Sequence, residues 1–129
     1  MIQAIITIVI LWGAWTLGSL AWTKYSITSG ATLLDSAEFE AKSRGGQLID
    51  VRDAPDFKAK HVLGARNIPA QMLIQNATAV RKDKAVFLVD ANNQTAARVV
   101  RKLKKLGYTD MYVLKGGFAK YTGKVKAAS

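Results

Sequence analysis

The chain has 129 residues, a formal net charge of +10, one histidine and no cysteine. That length suits one domain rather than two. Without cysteine there are no disulfides, and with a single imidazole a zinc site is not expected; no metal or cofactor is predicted.

The charge is unevenly placed. No residue from Ile2 to Trp22 is charged. As a helix rising about 1.5 Å per residue this stretch spans about 30 Å, the thickness of a bilayer's hydrocarbon core. Ser19-Leu20-Ala21 loosely resembles a signal cleavage site, but no basic residue precedes the apolar run, and the run is longer than a usual signal core. Residues 1–23 are therefore predicted as an uncleaved single-pass transmembrane helix. Trp12 and Trp15 fall mid-span, facing lipid or a partner helix. Trp22 and Tyr25 suit the interfacial aromatic belt. Basic residues begin only at Lys24, followed by Lys42 and Arg44. That asymmetry predicts a cell-membrane protein with its C-terminal domain in the cytoplasm.

Residues 24–30 read as a linker, and residues 31–126 as the globular domain. Thr32-Leu33-Leu34 is a short apolar piece. Asp35 or Ser36 caps a helix that stops at Gly45-Gly46. Gln47–Val51 is a strand. Ala54–His61 is a short helix with Pro55 in its first turn. Arg66–Pro69 is extended, and Ala70–Arg81 is helical. Ala85–Val89 is the most apolar strand. Gln94–Leu106 is an amphipathic helix stopped by Gly107. Met111–Leu114 is the next strand, and a short helix runs through Tyr121. Strands alternating with helices predict an α/β domain with a mainly parallel sheet.

One run carries more than architecture. Asp50, Val51, Arg52, Asp56, Phe57, His61, Gly64, Ala65, Asn67, Ile68 and Pro69 stand at the spacing D-V-R, acidic-aromatic, H-x-x-G-A-x-N-I-P. Leu106-Gly107-Tyr108 and Leu114-Lys115-Gly116-Gly117 follow. The pattern closely resembles the rhodanese-like domain family, from Thr32 to Tyr121. Lys60 stands where that family usually has glycine, and Tyr121 where it commonly has tryptophan. The resemblance implies a three-layer α/β fold and, with the N-terminal segment, a membrane-anchored bacterial subgroup. Asp50, Arg52, His61, Gly64, Asn67 and Pro69 read as scaffold. Asp50 and Arg52 can pair with polar loop groups, His61 is a hydrogen-bonded structural histidine, and Gly64 supplies a conformation closed to other residues.

In rhodaneses the loop after the central strand reads roughly C-R-S-G-x-R-S. Its backbone N–H groups form an anion-binding nest at a helix N-terminus, which also activates the cysteine thiolate for persulfide chemistry. Here the loop reads Asp90-Ala91-Asn92-Asn93-Gln94-Thr95. By that resemblance Asp90 falls on the cysteine, Ala91 and Thr95 on the two arginines, and Asn93 on the glycine. Asn tolerates a left-handed backbone, so the loop shape can persist. A carboxylate cannot form a persulfide. A second anion about 4 Å from it would meet a repulsion of about 4 kcal/mol at an effective dielectric near 20.

Arg98, Arg101, Lys102 and Lys105 follow at i, i+3, i+4 and i+7, one stripe of a helix face. A solvated face or attraction to anionic lipid head groups accounts for it. No interleaved aromatics accompany the stripe, so nucleic acid is not expected as a partner.

The expectation is a membrane-anchored, catalytically inactive rhodanese-like domain acting through other membrane proteins or the membrane surface. Two alternatives stay open: a sulfurtransferase-family enzyme or Asp90-based phosphatase, and a small-ligand sensor using the altered loop.

Overall fold

The computed structural model describes the backbone of residues 2–28 and 30–127, and side chains at 2–17 and 30–127. The first element is a helix, α1 (Ile2–Thr28). Its large apolar side chains from Ile2 to Leu17 are 51–74% exposed. Among the described residues no helix is long and apolar enough to cross a membrane. The described side chains of α1 stop at Leu17, short of the roughly 20 apolar residues a span needs; the rest of the predicted 1–23 span lies outside them. The predicted linker is also shorter than expected. Helix continues through Thr28, as no glycine or proline stands between Gly18 and Gly30.

The domain alternates strand and helix. In chain order come β1 (Thr32–Leu34), α2 (Ser36–Ser43), β2 (Gln47–Asp50), α3 (Ala54–Ala59), β3 (His61–Val62), β4 (Arg66–Asn67) and α4 (Ala70–Gln75). They are followed by β5 (Val86–Val89), α5 (Gln94–Lys105), β6 (Met111–Leu114), a 3-10 turn (Phe118–Lys120) and β7 (Val125–Lys126). Asp35 caps α2, its Oδ1 accepting from the Glu38 N–H at 2.9 Å. Pro55 sits in the first turn of α3, where its missing N–H costs nothing.

Five strands form a parallel sheet in the order β1-β6-β5-β2-β4. Central β5 is buried on both faces, as a parallel strand covered by helices should be. Val86 and Leu88 face one core with Val99, Val100 and Leu103 of α5 and Leu73 of α4. Phe87 and Val89 face the other with Phe39 of α2, Leu34 and Leu114. Phe39 meets Phe87 edge-on at 5.6 Å, and Phe87 stacks on Tyr112 at 4.8 Å.

Two predicted elements differ. Helix α4 ends at Gln75, not Arg81, because Asn76 takes an extended conformation (φ −153°) and its Oδ1 accepts from the Thr78 N–H. That Asx turn ends the helix. His61 leaves α3 and joins β3, pairing antiparallel with β7, a strand not foreseen. Its Nδ1 lies 2.7 Å from the Phe57 carbonyl and its ring stacks on Phe57 at 3.8 Å. Gly64 takes φ +89° in the turn that follows.

The C-terminal segment folds back over α2. The Thr122 N–H donates to the Ser36 hydroxyl at 2.7 Å. Burial, then the Glu40 carboxylate, raises the Tyr121 phenol above its ordinary pKa.

Candidate functional site

Parallel sheets bind ligands where neighbouring strands send their connections to opposite sides. Here β2 leads out toward β4 and β5 leads the other way toward β6, so the switch lies between their C-terminal ends. A cavity of about 250 Å³ opens there. Arg52 and Asp53 line it from the β2–α3 connection and Asp56 from α3, with Asp90 from the β5–α5 connection and Thr95 and Arg98 from α5.

The β2 side is fixed by a buried ion pair. Asp50 is fully buried and the Arg52 side chain is 9% exposed. The Arg52 Nε donates to Oδ1 and Oδ2 at 3.1 and 3.0 Å, and Nη2 donates to Oδ2 at 2.8 Å. Nη2 also donates to the Lys60 carbonyl at 2.6 Å, and the guanidinium lies 4.1 Å over the Phe118 ring. Asn67 ties the same turn by donating to the carbonyls of Asp50 and Arg52. Pro69 ends the extended segment and stands at the N-cap of α4.

The β5 side is a loop closed around its own carboxylate. Asp90 is 3% exposed. Its Oδ1 accepts from the Ala91 N–H at 2.7 Å and its Oδ2 from the Ala96 N–H at 2.8 Å. Ala96 is the third residue of α5, and its N–H is one of the orphan donors at a helix start. Asp90 therefore caps α5 from outside, with its charge at the positive end of the helix dipole. Its carbonyl accepts from the Phe118 N–H at 2.7 Å. Asn93 takes the left-handed conformation, φ +70°. Oriented to satisfy both neighbours, its amide donates to the Leu114 carbonyl at 3.1 Å and accepts from the Gly116 N–H at 3.0 Å. Asn92 Oδ1 accepts from the Gln94 N–H at 3.2 Å.

Gly117 braces this loop from the β6 side. Its φ of +79° and ψ of −173° belong to a region open essentially to glycine alone. A Cβ there would overlap the Ala91 carbonyl oxygen and stand 2.8 Å from that of Asp90. Gly117→Ala should lower stability by about 1–3 kcal/mol from backbone conformation alone, with the collision adding to it. Thermal midpoints compared with Gly45→Ala, where a Cβ meets only the Lys42 carbonyl at 4.0 Å, check this.

The scaffold residues Asp50, Arg52 and Asn67 gather at one end of the sheet beside Asp90, whereas His61 and Gly64 do not line the cavity. Arg98, expected only on the basic stripe, lines it as well. Helical spacing was the available signal: Arg98 stands one turn beyond Thr95. Arg101 and Lys105 stay exposed. Among the described residues no His, Cys, Asp and Glu side chains gather to hold a metal ion.

A family model described as Rhodanese-like domain matches residues 35–124. The chain belongs to the rhodanese-like family. It is 47% identical over 94 residues to the uncharacterized protein YqhL of Bacillus subtilis, covering 73% of this chain and 75% of that one. It is 29% identical over 97 residues to the thiosulfate sulfurtransferase GlpE of Tolumonas auensis, covering 75% and 85%. The fold is similar to a rhodanese-like domain protein from Staphylococcus aureus, with a TM-score of 0.67 at 22% identity over 76% of this chain and 99% of that one. This rhodanese-like chain thus has bacterial relatives of the sulfurtransferase type and has no cysteine.

Proposed function

We propose that this chain is a membrane-anchored rhodanese-like domain that has given up sulfur transfer and works as an interaction module, on the cytoplasmic side. The observation that carries it is Asp90. In this reading Asp90 takes the place of the family's cysteine, and both of its oxygens are held by backbone N–H groups at the start of α5. The loop is thus occupied by a fixed internal anion. Such a carboxylate has no means of accepting sulfur, and it repels an anionic donor.

The anchor is supported by the uncharged run from Ile2 to Trp22 and by the outward-facing apolar side chains of α1. An exposed apolar surface of that extent calls for lipid or a partner helix. Lys24, Lys42 and Arg44 favour the cytoplasmic orientation.

The purified full chain should transfer no sulfur from thiosulfate to cyanide above the uncatalysed rate. Turnover would end the reading of an inactive domain. In bacterial membranes the chain should stay in the pellet after alkaline carbonate extraction, and its release to the supernatant would end the anchor.

A further inference from the structure

The cavity at Asp90 is not isolated. A second hollow of about 500 Å³ opens between α4 and α5, and Ile74 lines both. The two adjoin at Ile74, along the flank of α5. Arg98 borders this groove at one end, and Lys102 follows one turn later. Lys82 closes the far end, its Nζ lying 5.6 Å from the centre of the Tyr108 ring. The floor there is apolar: Ile74, Val80, Leu106 and Tyr108. Among the described residues no acidic side chain lines the second hollow. Among the described residues the acids stand at the Arg98 end, where Asp53, Asp56 and the buried Asp90 border the first cavity.

Neither Arg98 nor Lys102 makes an ion pair among the described residues. Gly30 packs on the other flank of α5, where a Cβ would stand 2.8 Å from Val100 and 3.3 Å from Lys104. As α5 is 12 residues long, it offers about 18 Å of wall. That length seats five or six residues of extended chain at about 3.3 Å each.

We infer that this groove binds an extended acidic peptide segment of a partner protein. Carboxylates lie along Arg98, Lys102 and Lys82, apolar side chains enter the floor at Ile74 and Leu106, and a basic residue or free amine meets Asp53 and Asp56. A uniformly anionic surface fits less well, because the groove changes sign along its length. The inference rests on the interaction-module reading and names its partner by chemistry.

The test uses the full chain in uncharged detergent and a fluorescein-labelled peptide, Lys-Leu-Glu-Leu-Glu-Leu, read by anisotropy. Saturable binding is expected. Arg98→Glu with Lys102→Glu should weaken it at least about tenfold, whereas Arg101→Glu with Lys105→Glu, an equal change in net charge outside the groove, should change it less than about twofold. A peptide with serine for leucine should bind the unaltered protein at least about tenfold more weakly, since it buries no apolar side chains in the floor.

Equal losses in the two double variants would reduce the effect to diffuse charge and overturn the inference. So would the absence of saturation. Saturable binding of dihexanoyl phosphatidylglycerol with the same variant dependence, without peptide binding, would assign the groove to lipid instead. Sulfur transfer or carbonate release tests the module and its anchor separately, so the two failures are distinguishable.

Discussion

Arg52→Ala should be among the most damaging substitutions in this chain, costing about 3–5 kcal/mol. Asp50 is fully buried, and its carboxylate faces the Arg52 guanidinium. Removing the cation leaves a buried charge with only the Arg52 backbone N–H, at 2.9 Å, among its described donors. The Lys60 carbonyl and the Phe118 ring lose the guanidinium at the same time. For a domain of this size the loss is a fall of at least about 12 °C in melting temperature. Adding Asp50→Asn to Arg52→Ala should recover part of it, because the stranded charge disappears. The contrasting substitution is Arg81→Ala. Arg81 and Asp83 also pair, and each holds the other's charged form, but both side chains are largely exposed. Solvent screens such a pair, so its melting curve should match the parent's. A double variant no more stable than Arg52→Ala would refute the stranded charge as the cause.

The second large effect belongs to Asp90. Asp90→Ala removes the acceptors of the Ala91 and Ala96 N–H groups. Ala96 is buried, so water does not readily replace the carboxylate there. An unsatisfied buried donor costs about 1–3 kcal/mol, and loss of the negative charge at the helix start adds about 0.3–1 kcal/mol. Asp90→Asn keeps one oxygen and should lose less than the alanine variant. Urea unfolding of the three proteins gives the order parent, asparagine, alanine. Sulfur transfer should sit at background in all of them. If Asp90→Ala were as stable as the parent, capping would not explain the carboxylate's placement.

The sheet and its principal helices were legible because they depend on local signals. Asp35 and Gly45-Gly46 bracket α2, Pro55 opens α3, and the apolar run around Phe87 marks the central strand. The left-handed Asn93 was foreseen from its place on the family's loop glycine together with the tolerance of Asn for that conformation. The end of α4 was not, because Ala70–Arg81 has no glycine or proline and the stop comes from a side-chain hydrogen bond at Asn76. The β3–β7 pair was missed for a different reason. His61 and Lys126 lie far apart in sequence, and two-residue strands carry no periodicity. The site was legible as a loop but not as a cavity. Arg98 was assigned to the outer stripe because helical spacing says which residues share a face, not where the neighbouring helix stops covering it.

The strand order also governs when the domain can form. Among the described residues strand β1 has one neighbour in the sheet, β6, with Thr32 opposite Tyr112. During synthesis β1 emerges early and has no partner until nearly the whole domain has followed. Loop closure over that separation precedes the contacts that reward it, which slows folding. Meanwhile the unpaired Thr32–Leu34 edge and the uncovered apolar residues of β5 remain available to other chains. The nascent protein thus faces a period of vulnerability set by connectivity rather than by the stability of the finished fold.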